Sequence, residues 1–282
     1  FLSGGLDSSL ISVMAQEYTN NLSTYTIGTD PKDKKIEQMP EDEKYAKRLA
    51  DLHKFSHHEI IISANIVKYL PFMAKSLDEP IGDPAAINTY LICEAARREG
   101  VKVLLSGMGA DEIFFGYRRH RATLLAKQYQ KVPLILRKII EKIVSFLPVE
   151  FNGRGLKLVR WAKRFISFAS LPIDEAYMQS YSYYSKNELL ALMNKKFHNA
   201  VENLYRQHKQ IFYEKFKDDL INQICYTDIR MFMQGLNLTY SDRASMAASV
   251  ELRVPFIDKE VIEYVMNIPG KYKYKMVNQN IF

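Results

Sequence analysis

The feature that most constrains the fold is a glycine-rich turn near the N-terminal end, SGGLDSS at residues 3–9. A helical apolar pattern follows over residues 10–15, so we predict that the turn connects a first strand, ending at residues 1–3, to a helix. Two glycines allow the backbone to approach a ligand closely, and a helix N-terminus attracts anions. The turn therefore predicts a phosphate site, with an ordinary turn capped by Asp7 or Ser8 as the alternative.

Strands and helices alternate over the first 116 residues. Apolar and β-branched runs predict strands at Ser23–Gly28, His58–Ile62 and Val101–Leu105. Helical spacing predicts helices over 41–53, over 65–77 with an interruption at Pro71, and from Ala85 to Gly100. The alternation indicates an α/β fold with a parallel twisted sheet and flanking helices, in which ligands bind at the carboxyl ends of the strands.

The strand signal fades after Gly116, and the remaining chain is predicted to be mainly helical. We therefore predict an α/β core over residues 1–120 and a mainly helical part over residues 121–282.

A second glycine-rich turn, SGMGADE at residues 106–112, follows the third predicted strand in the same way. Both turns are then expected at one edge of the sheet, which brings Asp7 and Asp111 together. Two carboxylates beside phosphates require a cation, so the pair predicts a Mg²⁺ site. The lysine of GxxxxGK[ST] is missing, which excludes a Walker A loop. A simple cap for the helix near Asp111 is the structural alternative.

Composition excludes several classes of protein. The chain has 282 residues, 47% hydrophobic and 25% charged, and contains no apolar run long enough for a membrane span. Two distant cysteines, Cys93 and Cys225, exclude a disulfide scaffold and favour a reducing cytoplasm. No HExxH occurs, so a histidine metal site is not expected.

The net charge of +7 is concentrated in residues 117–164, which hold 13 Lys and Arg against Glu141 and Glu150. Such a segment could contact nucleic acid, a membrane surface or an acidic domain. A solvated helical face, with apolar residues between the charges, is the interpretation we favour from sequence.

Three motifs in order, SGGLDSS, SGMGADEIFFGYRRH and SDRASMAASVELRVPFID at residues 241–258, together resemble the synthetase domain of glutamine-hydrolysing asparagine synthetases. The similarity runs from Phe1 to about Ile268. It implies an adenine nucleotide alpha-hydrolase-like fold with a PP-loop, and a longer enzyme whose N-terminal glutaminase domain is not in this fragment. SGGLDSS alone would also fit other ATP pyrophosphatases, including those that modify tRNA.

The resemblance implies an ATP-dependent ligase that forms β-aspartyl-AMP, releases pyrophosphate, and lets ammonia from glutamine displace AMP to give asparagine. ATP and Mg²⁺ are the implied cofactors, with Asp7 and Asp111 as catalytic metal ligands. The implied ATP-binding residues are Phe1, Ser3, Gly4, Gly5, Asp7, Ser8, Ser9, Ile27, Ser106 and Gly107.

Three further residues are candidates for the substrate site. Glu79 and Asp83 precede the helix at Ala85, and a proline-bounded loop with an N-cap explains them equally well. Arg253 is expected to be buried, either in an ion-pair network or holding a substrate carboxylate.

Two positions depart from the family pattern. Met108 stands where the family often has an acidic residue, and Gln279 falls near the position of a late lysine, which Lys273 or Lys275 could replace. A relative that adenylates another carboxylate, such as a sugar amidotransferase, a β-lactam former or a peptide cyclase, therefore stays open.

A tRNA-modifying pyrophosphatase and a domain that binds nucleotide without turnover also remain open. We expect small-molecule substrates, no membrane and no nucleic-acid partner, and a cytoplasmic location, and we leave a homodimer open.

Overall fold

The computed structural model describes residues 1–30, 42–79, 81–151 and 154–279. The chain divides into two compact units. The first unit comprises Phe1–Ile113 and Met231–Val265, and the second comprises Phe114–Arg230 and Met266–Phe282. The first unit therefore takes in a late stretch of sequence, while the domain boundary at residue 120 stays a prediction.

The protein is mixed α/β, with many helices and small parallel sheets. The α-helices are Leu6–Gln16, Asp42–His53, Leu70–Ser76, Ala85–Arg98, Ala110–Phe114, Arg118–Tyr129, Leu134–Phe146, Lys157–Ala169, Ile173–Tyr181, Lys186–Leu192, His198–Phe212, Leu220–Thr227, Thr239–Ala247, Lys259–Met266 and Gly270–Gln279. A π-helical stretch spans Asp228–Leu238, and short 3₁₀ helices span Ala64–Tyr69, Lys195–Phe197 and Pro255–Ile257. The strands are Ser23–Thr29, Ser56–Ile62, Val103–Leu105, Glu150–Phe151, Arg154–Gly155 and Glu251–Arg253.

Two parallel strand pairs organise the first unit. Ser23–Thr29 pairs with Ser56–Ile62 so that Ile27 lies opposite Ile60. Val103–Leu105 pairs with Glu251–Arg253. Three of these four strands overlap strands that the sequence predicted, and helices connect the members of each pair as parallel connections require.

Three details of this unit differ from the sequence prediction. Residues 1–3 form no strand, because Leu2 makes a backbone bond to Tyr25 without extending it into a ladder. The strand Glu251–Arg253 was missed, since three residues are too short to show a period-2 pattern. Pro71 marks the change from a 3₁₀ helix to an α-helix, so the predicted interruption is confirmed.

Two apolar clusters form much of the core of the first unit. One joins Tyr25 on a strand to Ile92 and Cys93 on the helix Ala85–Arg98, with Phe1 and Ile27 packed against it. The other contains Ala86 and Ile87 of the same helix together with Met73, Leu77, Tyr240 and Ala244. The helix therefore contributes to both clusters, and the burial of its apolar side chains fixes the loops attached to it.

The second unit is helical and is built partly around a buried anion. Asp228, fully buried, accepts bonds from Arg119 at 2.9 Å and from the hydroxyl of Tyr177, and its carboxylate lies 2.8 Å from Nε2 of His120. These partners lower the pKa of Asp228 although burial alone would raise it. No helix among the described residues combines the length and apolar character needed to cross a membrane.

Candidate functional site

The two glycine-rich turns meet in the first unit. We call residues 3–5 the first loop and residues 106–109 the second loop. A Cβ built on Gly107 would lie 2.6 Å from the backbone nitrogen of Ser8 and 2.9 Å from the carbonyl carbon of Asp7. Only glycine allows the second loop to approach the first turn of the helix Leu6–Gln16 so closely. The turns therefore meet, as the sequence analysis predicted, although only the second of them follows a strand.

The first loop leaves the start of its helix open. Gly5 occupies the N-cap position in an extended conformation, and none of the described side chains caps this helix. The cap by Asp7 or Ser8 that we considered from sequence is therefore not present. The first-turn N–H groups of a helix are without intrahelical partners, which is the arrangement that binds phosphate.

Hydroxyl groups hold the first loop in shape. The hydroxyl of Ser8 accepts from the backbone nitrogen of Ser3 at 3.1 Å, and that of Ser9 donates to the carbonyl of Gly5 at 2.7 Å. Gly4 has a φ of +78°, and a Cβ there would collide with the backbone carbonyl of Asp42. Both the positive φ and the close backbone require glycine at this position.

Asp7 and Asp111 interact electrostatically. The pKa of Asp7 rises to about 6, first because the carboxyl group is partly buried and second because the charge of Asp111 repels its ionised form. Each aspartate lies in the first turn of a helix, one from each loop. The structure therefore brings the two predicted metal ligands into one neighbourhood.

These two aspartates fit a magnesium ion only in combination with a ligand. No group of three or more metal-binding side chains occurs among the residues that the structure describes. Mg²⁺ takes hard oxygen ligands and is commonly held by one or two carboxylates plus substrate phosphates. A pair of mutually repelling carboxylates next to an open helix N-terminus matches that donor set.

A cavity of about 310 Å³ opens beside the first loop. Phe1, Ser3 and Ile27, three of the predicted ATP-binding residues, line it. Ser106, the first residue of the second loop, is buried, and its backbone nitrogen donates to the carbonyl of Arg253. Apolar side chains such as Leu2 and Ile92 and polar ones such as Thr26 line the same cavity, a mixture typical of small-molecule pockets.

Asn88 is a cavity residue that sequence reasoning missed. It lines the same pocket from the helix Ala85–Arg98, and its Oδ1 is buried without a hydrogen-bond partner among the described residues. A buried acceptor left in this state is costly unless a ligand or water satisfies it. No sequence signal pointed to it, because it stands inside an ordinary amphipathic helix.

The three candidate substrate residues lie in different environments. Glu79 is exposed. Asp83 accepts a bond from the backbone nitrogen of Ala85 at 2.9 Å, which stabilises the turn before the helix, but Pro84 and not Asp83 occupies the N-cap position. The expectation that Arg253 is buried is wrong. Its side chain is 60% exposed and pairs with Glu251 at 2.8 Å, because both residues project from the same face of a short strand.

Met108 is part of the apolar packing of the first unit. It contacts the cluster that contains Tyr240 and Ala244, and its sulfur accepts a weak bond from the hydroxyl of Ser241 at 3.5 Å. A thioether is neither a base nor a hard-metal ligand. The second loop therefore offers no acid at this position.

Lys273 is buried within the second unit. Its Nζ lies 3.7 Å from the sulfur of Met266, and burial lowers its pKa while nearby Cys225 and Asp219 oppose that shift. An amine in this position is directed into the interior of its own unit. Gln279 is the last residue of the helix Gly270–Gln279, and the side chains of 275–279 and the stretch 280–282 lie outside what the structure describes.

Comparison with known proteins identifies the family. The sequence profile of the family described as asparagine synthase matches residues 1–280. This chain belongs to the asparagine synthase family. It is 30% identical over 275 residues to asparagine synthetase [glutamine-hydrolyzing] 1 of Bacillus subtilis, covering 98% of this chain and 41% of that protein.

Two further relatives extend the comparison. A putative asparagine synthetase [glutamine-hydrolyzing] of Mycobacterium tuberculosis H37Rv is 31% identical, with 97% of this chain and 39% of the relative covered. A Penicillium rubens protein named amidase chyE is 22% identical, with 98% and 43% covered. The resemblance inferred from the motifs is confirmed, and the chain spans about 40% of the length of these relatives.

Proposed function

We propose that this chain is the synthetase part of an ATP-dependent amide-forming ligase. In the proposed reaction the side-chain carboxylate of aspartate attacks the α-phosphate of ATP to form β-aspartyl-AMP and pyrophosphate. Ammonia derived from glutamine then displaces AMP and yields asparagine. The family assignment and the relatives' names support a ligase, and the fold type we assign with it is adenine nucleotide alpha-hydrolase-like.

One observation carries the proposal, namely the contact between Gly107 and the first turn that holds Asp7 and Ser8. The same unit also contains the uncapped N-terminus of the helix Leu6–Gln16, the two aspartates and the cavity beside the first loop. Adenylate formation needs positioning and neutralisation of phosphate charge more than covalent participation by the protein. The arrangement supports that kind of chemistry.

In this proposal each part of the site has one task. The backbone and hydroxyls of Ser3, Gly4, Gly5, Ser8 and Ser9 hold the β- and γ-phosphates, which become the pyrophosphate. Asp7 and Asp111 would hold Mg²⁺, which when bound neutralises phosphate charge. Phe1, Ile27, Ser106 and Gly107 border the adenosine. The apolar cavity wall excludes water that would otherwise hydrolyse an acyl adenylate.

Aspartate-dependent exchange of labelled pyrophosphate into ATP tests the reaction on the full-length protein. We expect exchange with aspartate and a loss of at least about 100-fold in Asp7→Asn and Asp111→Asn, because removal of a preorganised charge contact has effects of this size. Asp51→Asn is the matched control, since Asp51 lies exposed on the helix Asp42–His53. Exchange that is unaffected in both site variants would contradict the proposal.

A second candidate substrate class is favoured by the environment of Met108. Because its thioether packs against apolar residues, the second loop lacks the acid that the family often carries there. A different carboxylate, adenylated in the same way, is therefore the alternative substrate. Running the exchange assay with a panel of carboxylic acids distinguishes aspartate from the alternative substrates. A carboxylate that supports faster exchange than aspartate would be assigned as the substrate in its place.

The nitrogen source, the assembly and the location complete the proposal. Ammonia would come from a glutaminase domain in the longer protein, as the names of the relatives suggest for those enzymes. The homodimer stays a prediction. Cys93 and Cys225 are both free and buried, which supports a cytoplasmic location.

A further inference from the structure

The helix Leu134–Phe146, which we call the exposed helix, has no buried residue. Its apolar side chains are nevertheless large, and Ile135 and Phe146 are 75% and 78% exposed. Ile139 and Ile143 are about half exposed. A surface helix of a globular protein normally turns such residues toward the core, so this helix presents its apolar side to the surroundings.

The exposed helix has an apolar half and a polar half. With about 100° between successive residues, Leu136, Ile139 and Ile143 lie within one apolar half of the helix, and Lys138, Glu141 and Ser145 lie on the other. Two hydrogen bonds join the helix to its neighbours, since Lys163 donates to the backbone carbonyl of Ser145 at 2.9 Å and Ser170 donates to Glu141 at 2.6 Å. Lys138 and Lys142 are exposed, so the described part of the protein leaves both the lysines and the apolar half accessible.

Aromatic and basic groups lie along the chain next to this helix. Trp161 is 49% exposed, and the cationic groups of Arg118 and Lys157 lie 5.5 Å and 5.3 Å from the centre of its ring. Lys138, Lys142 and Lys163 line a groove on the polar side of the exposed helix. Residues 117–164 carry 13 basic and two acidic side chains, whereas the rest of the chain is net negative.

We propose that the exposed helix binds to the surface of an anionic lipid membrane. Its apolar half would enter the boundary between headgroups and acyl chains, and the lysines beside it would contact lipid phosphates, as amphipathic basic helices do. A second copy of this chain is disfavoured, because two strongly basic segments would repel each other. The 13 basic and two acidic side chains of residues 117–164 match the negative surface potential of an anionic membrane.

This proposal departs from the expectation of no membrane partner and agrees with the lack of a spanning helix among the described residues. It is independent of the ATP site, because it uses only residues of the second unit. The known family chemistry could proceed whether or not the helix binds lipid. Failure of one proposal therefore leaves the other intact.

Flotation of the full-length protein with lipid vesicles tests the inference. Vesicles of equal parts phosphatidylglycerol and phosphatidylcholine are compared with vesicles of phosphatidylcholine alone. We expect the protein to float with the anionic vesicles only, and less of it as salt is added, because exposed charges are screened.

Two pairs of variants, each with a matched control, locate the contact. The isoleucine pair is the double variant Ile139→Gln with Ile143→Gln, and the lysine pair is Lys138→Gln with Lys142→Gln. Each double variant should weaken binding to anionic vesicles at least about tenfold. Leu192→Gln with Leu204→Gln is the apolar control, and Lys195→Gln with Lys196→Gln is the basic control. All four control residues are exposed and lie outside residues 117–164, so the controls should bind as the wild type does.

Three results would overturn the inference. The protein could remain unbound with anionic vesicles, or the isoleucine pair could bind them as tightly as the wild type. The third result would come from size-exclusion chromatography with light scattering. If the wild type forms a dimer, or a complex with an acidic polypeptide or RNA, and the isoleucine pair does not, then another occupant covers this face, provided that no vesicle binding is seen.

Discussion

Substitution of Gly107 by alanine perturbs the contact on which the proposed ATP site depends. The new Cβ would lie 2.6 Å from the nitrogen and 3.0 Å from the Cα of Ser8, and 2.9 Å from the carbonyl carbon of Asp7. All three atoms belong to the backbone, so no side-chain rotation relieves the clash. The second loop or the start of the helix Leu6–Gln16 must move instead.

The size of the effect follows from overpacking. Extra methyl groups in a well-packed region typically cost about 1–3 kcal/mol. If the displaced groups are those that hold the phosphates, a similar loss of binding free energy corresponds to about 5-fold to 150-fold weaker binding of Mg·ATP. Gly82→Ala is the matched control, because Gly82 lies in the same unit with no atom within 4 Å of a built Cβ. That change should alter stability by no more than about 1 kcal/mol.

Calorimetric titration with Mg·ATP and urea denaturation measure the two consequences separately. Gly107→Ala should bind weakly while the protein remains folded, and Gly82→Ala should match the wild type in both assays. If Gly107→Ala bound Mg·ATP with wild-type affinity, the two loops would not form a joint nucleotide site and the reasoning would be refuted.

Four further predictions concern titratable and buried groups. Affinity for Mg·ATP should fall about tenfold per pH unit below about pH 6, since protonation of Asp7 competes with the metal. Asp111→Asn should shift this fall to lower pH, because it removes the charge that helps to raise the pKa of Asp7. An affinity that stays constant with pH in calorimetry would argue against the metal role. Burial lowers the pKa of His208 to about 4. Between pH 4 and about pH 6.5 the unfolded state therefore binds more protons than the folded state. The free energy of unfolding should decrease as pH falls through this range, by at most about 3 kcal/mol. Urea denaturation at several pH values checks this, and His208→Phe should remove that part of the dependence. Asp228→Ala should cost about 3–5 kcal/mol in the same assay, since it leaves a buried guanidinium without its counter-ion; a loss below about 1 kcal/mol would disagree. Lys273→Met should leave stability and pyrophosphate exchange nearly unchanged, because the buried amine is directed into its own unit; exchange reduced about 100-fold would show instead that this lysine acts on the phosphates.

Local patterns predicted much of the first unit. Strands at Ser23–Thr29 and Ser56–Ile62 follow from β-branched runs. Asp7 and Asp111 are close, as predicted, although the strand expected at residues 1–3 is absent. The strand Glu251–Arg253 could not be predicted, because its partner lies almost 150 residues earlier in the sequence. Non-local pairing leaves no periodic signal in so short a segment.

The site was predictable where backbone geometry dictated residue type. Close backbone contacts leave room only for glycine at positions 4 and 107, and a glycine-rich turn in a sequence indicates such contacts. Asn88 was missed because its importance lies in an unpaired buried atom, which only three-dimensional packing reveals. Arg253 was misjudged for the converse reason, since alternation in the sequence does not tell which face of a short strand is covered.

The basic segment shows a third kind of limit. The helical apolar spacing around Ile139 and Ile143 was visible in the sequence and was interpreted as a solvated face of a packed helix. The structure has the helix, but none of its residues is buried and its apolar half is exposed. Sequence periodicity identifies the apolar face of a helix and cannot say whether the protein covers it.

Analysis of the nucleotide products tests the central claim most directly. Full-length protein is incubated with ATP, Mg²⁺, aspartate and glutamine, and the nucleotides are separated by ion-exchange chromatography. If the two loops hold the β- and γ-phosphates while a carboxylate attacks the α-phosphate, AMP and pyrophosphate should form in equal amounts, and only when the carboxylate is present. ADP and inorganic phosphate as the main products would contradict the account, because they would place bond cleavage at the γ-phosphate.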